Sequence, residues 1–232
     1  MSGQITINRK CFVKKSILIA LYGVGGITAI SGFVKKEDDQ KVSPPEDLMQ
    51  EHGVLNRILL IYDACKERLV NKQSFPNKAL VDAANIIRRF IEDYHEKQEE
   101  EYLFPRFQKT HRLTNLVNIL LEQHKAGRRL TDEIMQLAKF QVTSESQNQR
   151  LVQLLLAFNT MYRPHEARED TVLFPAFREI VSKNEYDSLG EEFEKNEHRL
   201  FGKDGFETVV NKISEIEKQL GIYELSQFTP HI

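Results

Sequence analysis

The chain contains two similar thirteen-residue segments that begin 70 positions apart. The first reads HEKQEEEYLFPRF from His95 to Phe107, and the second reads HEAREDTVLFPAF from His165 to Phe177. They agree at seven of thirteen positions and share the pattern H-E-x-x-E-x-x-x-L-F-P-x-F. Because residues four apart lie on one face of a helix, the His and the second Glu of each segment point the same way. Such a duplication predicts two equivalent halves around a shared site.

A lone histidine precedes each segment at a similar distance. His52 lies 43 residues before His95, and His124 lies 41 residues before His165. Internal repetition constrains the architecture before any propensity argument. A period of about seventy residues is too long for a solenoid repeat of ~20–50 residues, and it fits two helical hairpins.

Helix signals surround each of these histidines. Ser43, Pro44 and Glu46 form a predicted capping box at the start of the first helix. Apolar residues spaced by threes and fours lead to each of the four histidines, which places each histidine on the inward stripe of its helix. The pattern therefore predicts an all-α protein, a four-helix bundle with polar residues in its core.

Prolines and a C-terminal region complete the helical pattern. Pro105 and Pro175 occupy matching places in the repeat, and we expect each to end or kink its helix just beyond the His-x-x-x-Glu turn. The neighbouring phenylalanines should fill that end of the bundle. A fifth helix is predicted from Ser182 to about His198, and a sixth from Glu207 to Leu220, packed outside the bundle or closing one end.

The inward residues are typical metal ligands. Imidazole and carboxylate together suit iron, manganese or zinc, and the absence of thiolates in the pattern argues against a soft-metal site. Two carboxylates can each bridge two ions while four imidazoles bind as terminal ligands. The predicted metal ligands are His52, His95, Glu99, His124, His165 and Glu169.

Other readings of these residues stay open. A single His on an apolar stripe is commonly a hydrogen-bonded core residue, but two inward glutamates need a cation or a hydrogen-bond network. Glu96 and Glu166 follow a ligand His by one residue and are turned about 100° away, so they should contact the ligands or lie at the surface, and direct coordination of a metal is the less favoured alternative. His198, His111 and His231 are expected to be non-ligands.

Composition excludes several other classes of protein. The net charge is −2 with basic residues spread throughout, so no basic patch indicates nucleic-acid binding. Only two cysteines occur, Cys11 and Cys65, and Cys11 precedes the predicted bundle. Disulfides therefore play no part in the predicted fold.

The N-terminus has the pattern of an export signal. A basic start is followed by residues 16–34, an uncharged stretch that would span ~28 Å as a helix. The order around Arg9 and Lys10 resembles a twin-arginine signal, with Lys10 in place of the second arginine. Ala29-x-Ser31 offers a cleavage site. If the stretch is not cleaved it would contact the membrane, and a buried helix of the domain is the remaining alternative. The predicted location is exported or membrane-anchored rather than cytoplasmic.

The residues described above resemble the hemerythrin family, specifically its His/His/Glu cation-binding branch. The resemblance covers roughly Pro45 to Ser182 and implies an up-down-up-down bundle with two iron ions, ahead of manganese or zinc. It implies terminal ligands at the four histidines and bridging carboxylates at Glu99 and Glu169. Oxygen-carrying members of the family use a fifth His and an Asp, whereas here Arg128 follows His124 by four residues.

The resulting division of the chain is a leader at 1–35, a linker at 36–44, the bundle at 45–182 and a C-terminal helical extension at 183–232.

Three functions are compatible with this reading, and the first is favoured. It is a di-iron protein that binds or senses a small ligand such as O2 or NO, or that holds iron, with no catalytic residue assigned. The second is a di-iron oxidoreductase that reduces O2, peroxide or NO with an electron donor of unknown identity. The third is a structural bundle with zinc or no metal. Fold and metal alone do not choose between them.

Overall fold

The computed structural model describes residues 42–139 and 144–230, and these residues contain helices and no strand. The predicted leader, the membrane-contacting stretch 16–34, most of the linker, Cys11, Phe140 and His231 lie outside the described residues. Within the described residues, no helix combines the length and apolarity needed to cross a membrane. The all-α prediction is confirmed.

Four long helices form the bundle. α1 is Pro44–Val70. α2 runs through residues 77–110 without a break, as Asn77–Ile86, Ile87–His95, Glu96–Gln98, Glu99–Leu103 and Phe104–Thr110. α3 is Thr114–Lys139. α4 covers residues 145–177, as Glu145–Arg168, Glu169–Leu173 and Phe174–Phe177. α1 packs on α2 and α4, and α3 packs on the same two helices from the other side.

The first helix begins as its sequence indicates. The Ser43 side chain accepts a hydrogen bond from the Glu46 backbone N–H, and the Glu46 carboxylate accepts one from the Ser43 N–H. Pro44 occupies the first helical turn, where its missing N–H has no helical partner to lose. The predicted capping box is confirmed.

Both helices continue through the prolines of the repeat, to Thr110 after Pro105 but only to Phe177 after Pro175, so the expected helix end is found close to Pro175 and not close to Pro105. Pro105 and Pro175 are each the second residue of an α-helical stretch that directly follows a π-helical one. In those stretches the N–H of Phe104 bonds to the Glu99 carbonyl and that of Phe174 to the Glu169 carbonyl, five residues back. The wider π turn absorbs one residue and lets the helix continue into the proline, since π-bulges insert a residue without breaking the helix.

The C-terminal extension packs along the outside of the bundle. α5 is Lys183–Phe201, capped by Ser182, and α6 is Gly205–Gln219. A short 3₁₀ helix, Leu225–Phe228, follows. Both long helices contact α1, and α6 also contacts α2. The prediction of two helices outside the bundle is confirmed, with α5 three residues longer than expected.

The apolar core forms two clusters. One cluster surrounds Ile58, Phe90 and Phe158, and the helix α6 adds Ile213 to it. The other contains the phenylalanines of the repeat with Leu48 and Phe193. The rings of Phe107 and Phe177 meet in the second cluster with centroids 6.0 Å apart. The expectation that these aromatic residues fill one end of the bundle is confirmed, because all four are buried.

Candidate metal centre

The structure brings all six residues predicted as ligands into the core of the bundle. They form two groups in which the potential ligand atoms lie within 4.8 Å of one another, and we call these groups triads. The first triad is His52, His95 and Glu99, and the second is His124, His165 and Glu169. Every member is at most 4% exposed. Each triad combines one helix's lone His with a His-x-x-x-Glu pair of the next helix.

The two carboxylates connect the triads. Glu99 Oε2 lies 3.8 Å from His95 Nε2 on its own helix and 3.5 Å from His124 Nε2 in the other triad. Glu169 Oε2 lies 3.2 Å from His165 Nε2 and 3.4 Å from His52 Nε2. Each carboxylate therefore reaches one imidazole of each triad, as a carboxylate shared by two cations must.

Several ligand atoms have no hydrogen bond to satisfy them. Among the described residues, both oxygens of Glu99, both oxygens of Glu169 and the Nε2 atoms of His52 and His124 are buried without a hydrogen-bond partner. Leaving buried polar groups unpaired costs about 1–3 kcal/mol each, and more for charged groups. A pair of cations in contact with these atoms would remove that cost, so the side chains fit a metal centre.

In each of the four triad histidines, the Nδ1 atom forms a hydrogen bond with a side chain. The Nδ1 atoms face side-chain oxygen acceptors at 2.7 to 3.1 Å: Asp170 for His52, Glu51 for His95, Glu100 for His124 and Gln123 for His165. Because these oxygens accept hydrogen bonds, each Nδ1 acts as the donor and a neutral imidazole keeps its Nε2 lone pair toward the centre.

Sequence reasoning missed these four acceptors, although a signal was present. Each acceptor is adjacent in sequence to a predicted ligand: Glu51 and Gln123 precede His52 and His124, while Glu100 and Asp170 follow Glu99 and Glu169. Each acceptor forms its hydrogen bond with a histidine other than the ligand beside which it stands in the chain. Each instead orients a histidine of a neighbouring helix, so only the packing of the helices reveals its role.

Buried charges shift the pKa values of the centre in opposite directions. Burial, together with repulsion from Glu169, raises the pKa of Glu99 well above its usual range. Burial also acts on Glu169, but the adjacent His165 and His52 hold the pKa of that carboxyl well below its usual range. For His52, burial lowers the pKa, but the hydrogen bond between Nδ1 and Asp170 and the nearby negative charge of Glu169 outweigh it and raise the pKa to about 10. In the absence of a metal, protons on Glu99 and His52 compensate the buried negative charge. A bound cation would compensate that charge in their place, so cation binding must displace these protons.

Aromatic rings cover the centre symmetrically. Phe174 stacks on His52 and Phe104 stacks on His124, each with ring centroids 5.5 Å apart. These phenylalanines follow the π-helical turns that begin at Glu169 and Glu99. The first phenylalanine of each L-F-P-x-F motif therefore supplies an apolar cover over one imidazole of the centre.

Glu96 and Glu166 are buried, which excludes the surface position that was one expectation for them. Glu96 is 1% exposed, accepts a hydrogen bond of 2.7 Å from the Tyr162 hydroxyl and forms an ion pair of 2.7 Å with Arg128. Glu166 is 3% exposed and accepts a hydrogen bond from the Asn56 amide. Burial raises the pKa of each to about 8. Both lie near the triads: a carboxylate oxygen of Glu96 comes within 4.8 Å of a ring nitrogen of His124, and the charge of His52 acts on Glu166.

The two other histidines in the described part of the chain are not part of the centre. His198 and His111 are exposed, and neither belongs to a triad. Arg128, four residues after His124, forms ion pairs of 2.7 Å with both Glu96 and Glu100. The position where oxygen-carrying relatives would supply a further His is thus occupied here by a cation that neutralises two carboxylates.

A helical bundle that gathers imidazoles and carboxylates in its core is the architecture of a cation-binding protein. The chain belongs to the hemerythrin family, because the model of the hemerythrin HHE cation-binding domain matches residues 43–177. It is also 48% identical over 195 residues to uncharacterised proteins of Mycobacterium tuberculosis and Mycobacterium bovis. Those alignments cover 84% of this chain and 76% of each relative. No solved structure matches the chain.

Proposed function

We propose that this protein is a non-haem di-iron protein that binds or senses a small ligand such as O2 or NO, or that holds iron. The observation that carries the proposal is the pair of shared carboxylates, Glu99 and Glu169, each within 3.8 Å of an imidazole from both triads. Two cations held this way would each have two imidazoles and two shared carboxylates. Such a set leaves coordination positions for a further ligand, which is what separates a reactive centre from a structural one.

The donor set is compatible with iron, and we rank iron first because of the hemerythrin family match. Imidazole with carboxylate suits iron, and it also suits manganese and zinc, which we rank behind iron. The one thiol among the described residues, Cys65, is buried in the apolar cluster around Ile58 and belongs to neither triad. Burial raises the pKa of that thiol to about 12, so it stays protonated and is a poor metal ligand.

The protein surroundings favour a small uncharged ligand. Bound iron would supply redox activity and open coordination positions. The chain supplies orientation, because the four acceptors of the Nδ1 hydrogens hold the imidazoles in place, and it excludes water through Phe104 and Phe174. A diatomic molecule fits a site enclosed by apolar rings better than a hydrated or charged substrate does.

A specific contact favours a second candidate, an oxidoreductase that reduces O2, peroxide or NO. The Tyr162 ring lies 5.4 Å from the His165 ring, centroid to centroid, and its hydroxyl donates to Glu96. An oxidisable side chain with a proton acceptor therefore stands beside the centre. Tyr162 also fills space in the core, where its ring packs on Phe158 at 4.4 Å.

We further propose that the protein is exported or anchored to a membrane. The support is the sequence alone: basic residues from Arg9 to Lys15, then the uncharged stretch 16–34. A twin-arginine-like signal suits a protein that folds around its metal before export.

Spectroscopy and metal analysis of the full chain test the proposed function. We expect two iron ions per chain and absorption bands of an oxo-bridged di-iron centre that change reversibly when O2 or NO is added and removed. Steady consumption of peroxide or NO in the presence of a reductant would instead support the oxidoreductase. A metal content near zero in protein produced with ample iron would contradict both candidates.

A further inference from the structure

The two halves of the repeat surround their triads with different side chains. Corresponding positions of α1 and α3 lie 72 residues apart, the separation of the two lone histidines, and Glu51 therefore corresponds to Gln123. The Glu51 carboxylate accepts the hydrogen bond of 2.8 Å from His95 Nδ1. The Gln123 amide oxygen accepts the one of 2.9 Å from His165 Nδ1. The first triad thus has a carboxylate acceptor where the second has an uncharged amide.

The acceptors of the two lone histidines differ in their own partners. Asp170 and Glu100 lie 70 residues apart, the separation of the two thirteen-residue segments. Asp170 Oδ1 lies 2.7 Å from His52 Nδ1, and no arginine or lysine of the described chain pairs with this carboxylate. Glu100 Oε1 lies 3.1 Å from His124 Nδ1, and the same oxygen accepts a hydrogen bond of 2.7 Å from Arg128. Less negative charge is therefore available to the second triad.

The second half also carries positive charges at positions that are uncharged in the first half. Arg128 forms an ion pair of 2.7 Å with Glu100, and Lys97 forms one of 2.5 Å with the same side chain. Asn56 stands in the first half at the position that corresponds to Arg128. Ala167 stands there at the position that corresponds to Lys97. The acceptors and the cations therefore distinguish the halves in the same direction.

Charge behind an imidazole affects which ion the imidazole favours. A carboxylate acceptor makes the ring a more basic ligand. Its negative charge also stabilises a ferric ion more than a ferrous one, because the ferric ion carries one more positive charge. An arginine acts in the opposite direction. Hydrogen bonds and charges around a metal centre are among the means by which a protein sets its reduction potential.

We propose that the two triads would hold iron at unequal reduction potentials, with the higher potential at the second triad. The second triad is then the half that takes up the first electron, and the first triad keeps the ferric charge to lower potential. Asp170 and Gln123 act through the histidines that they orient, so they are positioning residues rather than ligands. This order of the two halves rests on the di-iron function proposed above.

A redox titration of the iron-loaded, full-length protein tests this order. Dithionite is oxidised and supplies one electron for each step, and each step changes one ferric ion to ferrous while absorption is recorded. Charge repulsion separates the two steps even in a symmetric centre, because the first electron makes the second harder to add. The decisive result is therefore which of the two steps a variant shifts.

Gln123→Glu introduces a carboxylate at the second triad and should lower the potential of the first step, while the second step stays in place. The expected change is at least ~10-fold in the equilibrium constant of that step, which is about 59 mV for one electron. Asp170→Asn keeps an acceptor for His52 but removes its charge, so it should raise the potential of the second step only. If the halves were equal or reversed, Gln123→Glu would lower the second step and Asp170→Asn would raise the first.

The control is Gln136→Glu, which makes the same change at an exposed position of α3. Gln136 lies ~20 Å along the helix from Gln123, so its charge is screened from the centre and should shift neither step. Arg128→Gln removes a positive charge beside Glu100 and should also lower the first step. It reads the same order if Gln123→Glu does not fold.

Metal analysis of the same samples separates this inference from the di-iron function. Suppose that wild type holds two irons per chain and Gln123→Glu lowers the second step, or shifts neither step. That result would overturn the unequal triads and leave the di-iron function standing. Wild type with fewer than two irons per chain would contradict the function and the inference together.

Discussion

Replacement of Glu99 or Glu169 by glutamine is expected to reduce the iron content to half or less of the wild-type value. Each carboxylate contacts an imidazole of both triads, so its loss weakens the binding of both ions at once. Removal of an outer contact typically lowers metal affinity by ~10–100-fold, and loss of a shared ligand should cost more. Metal analysis of the purified variants, after extensive dialysis, measures the effect. Alanine at either position should give the same or a larger loss.

The matched control is Glu96→Gln. Glu96 is equally buried, but its oxygens bind the Tyr162 hydroxyl and Arg128 rather than standing between the triads. The glutamine keeps a hydrogen-bond acceptor for Tyr162, so the variant should retain most of its iron. An equal loss of iron from Glu96→Gln would show that the shared carboxylates have been assigned to the wrong residues.

The stability of the metal-free proteins separates a ligand from a structural residue. Glu99 lies close enough to Glu169 for repulsion between them to raise the pKa of Glu99. A neutral glutamine removes that repulsion, so metal-free Glu99→Gln should unfold at no lower temperature than metal-free wild type. A variant that loses both iron and metal-free stability would indicate that the carboxylate supports the fold instead.

Gly127→Ala is expected to destabilise the protein by about 2–4 kcal/mol, the second large effect. A Cβ on Gly127 would come within 2.0 Å of the Tyr162 hydroxyl oxygen and 2.8 Å of the ring carbon that bears it. Overpacking typically costs about 1–3 kcal/mol, and a broken buried hydrogen bond costs a similar amount. The better helix propensity of alanine offsets only ~1 kcal/mol of this cost. The free energy of unfolding, measured by denaturant titration, tests the prediction.

Gly53→Ala is the control for the glycine substitution. Gly53 is also inside a helix, α1, but no atom lies within 4 Å of the place where its Cβ would stand. This variant should gain up to ~1 kcal/mol from the better helix propensity of alanine. If Gly127→Ala were as stable as Gly53→Ala, the close packing of Tyr162 on α3 would be refuted. Adding Tyr162→Phe to Gly127→Ala should recover part of the loss, because the shortest contact is with the hydroxyl.

The sequence was sufficient to predict the fold class and to predict that the six ligand candidates share one site. A His and a Glu four residues apart share a helix face whatever the rest of the protein does, so the direction of Glu99 relative to His95 is a local property. The same holds for the capping box at Ser43, which involves residues three apart. For Glu96 and Glu166 the local argument was incomplete, because it predicted their direction on the helix but not which neighbouring helix would bury them.

The path of the helices past the prolines was also beyond a local argument. Pro105 and Pro175 cannot donate backbone hydrogen bonds, and from the sequence each should end or kink its helix. In the structure a π-helical turn precedes each proline, and the helix then ends at Phe177 after Pro175 but continues to Thr110 after Pro105. Whether a helix breaks or widens depends on what packs beyond that point, and here buried phenylalanines hold the following turn in the second apolar cluster.

The sequence by itself determined that the six ligand candidates face inward and that they occur as two similar halves, because helical periodicity and internal repetition need no knowledge of distant contacts. The tertiary structure decided how those side chains are connected. It paired Glu99 with His124 and Glu169 with His52, and it supplied each imidazole with an acceptor from another helix. It also brought Glu197 of the C-terminal extension to Asp47 and Glu51. Such contacts depend on the register and separation of packed helices, which are set by the whole core and cannot be read from spacing along one chain segment.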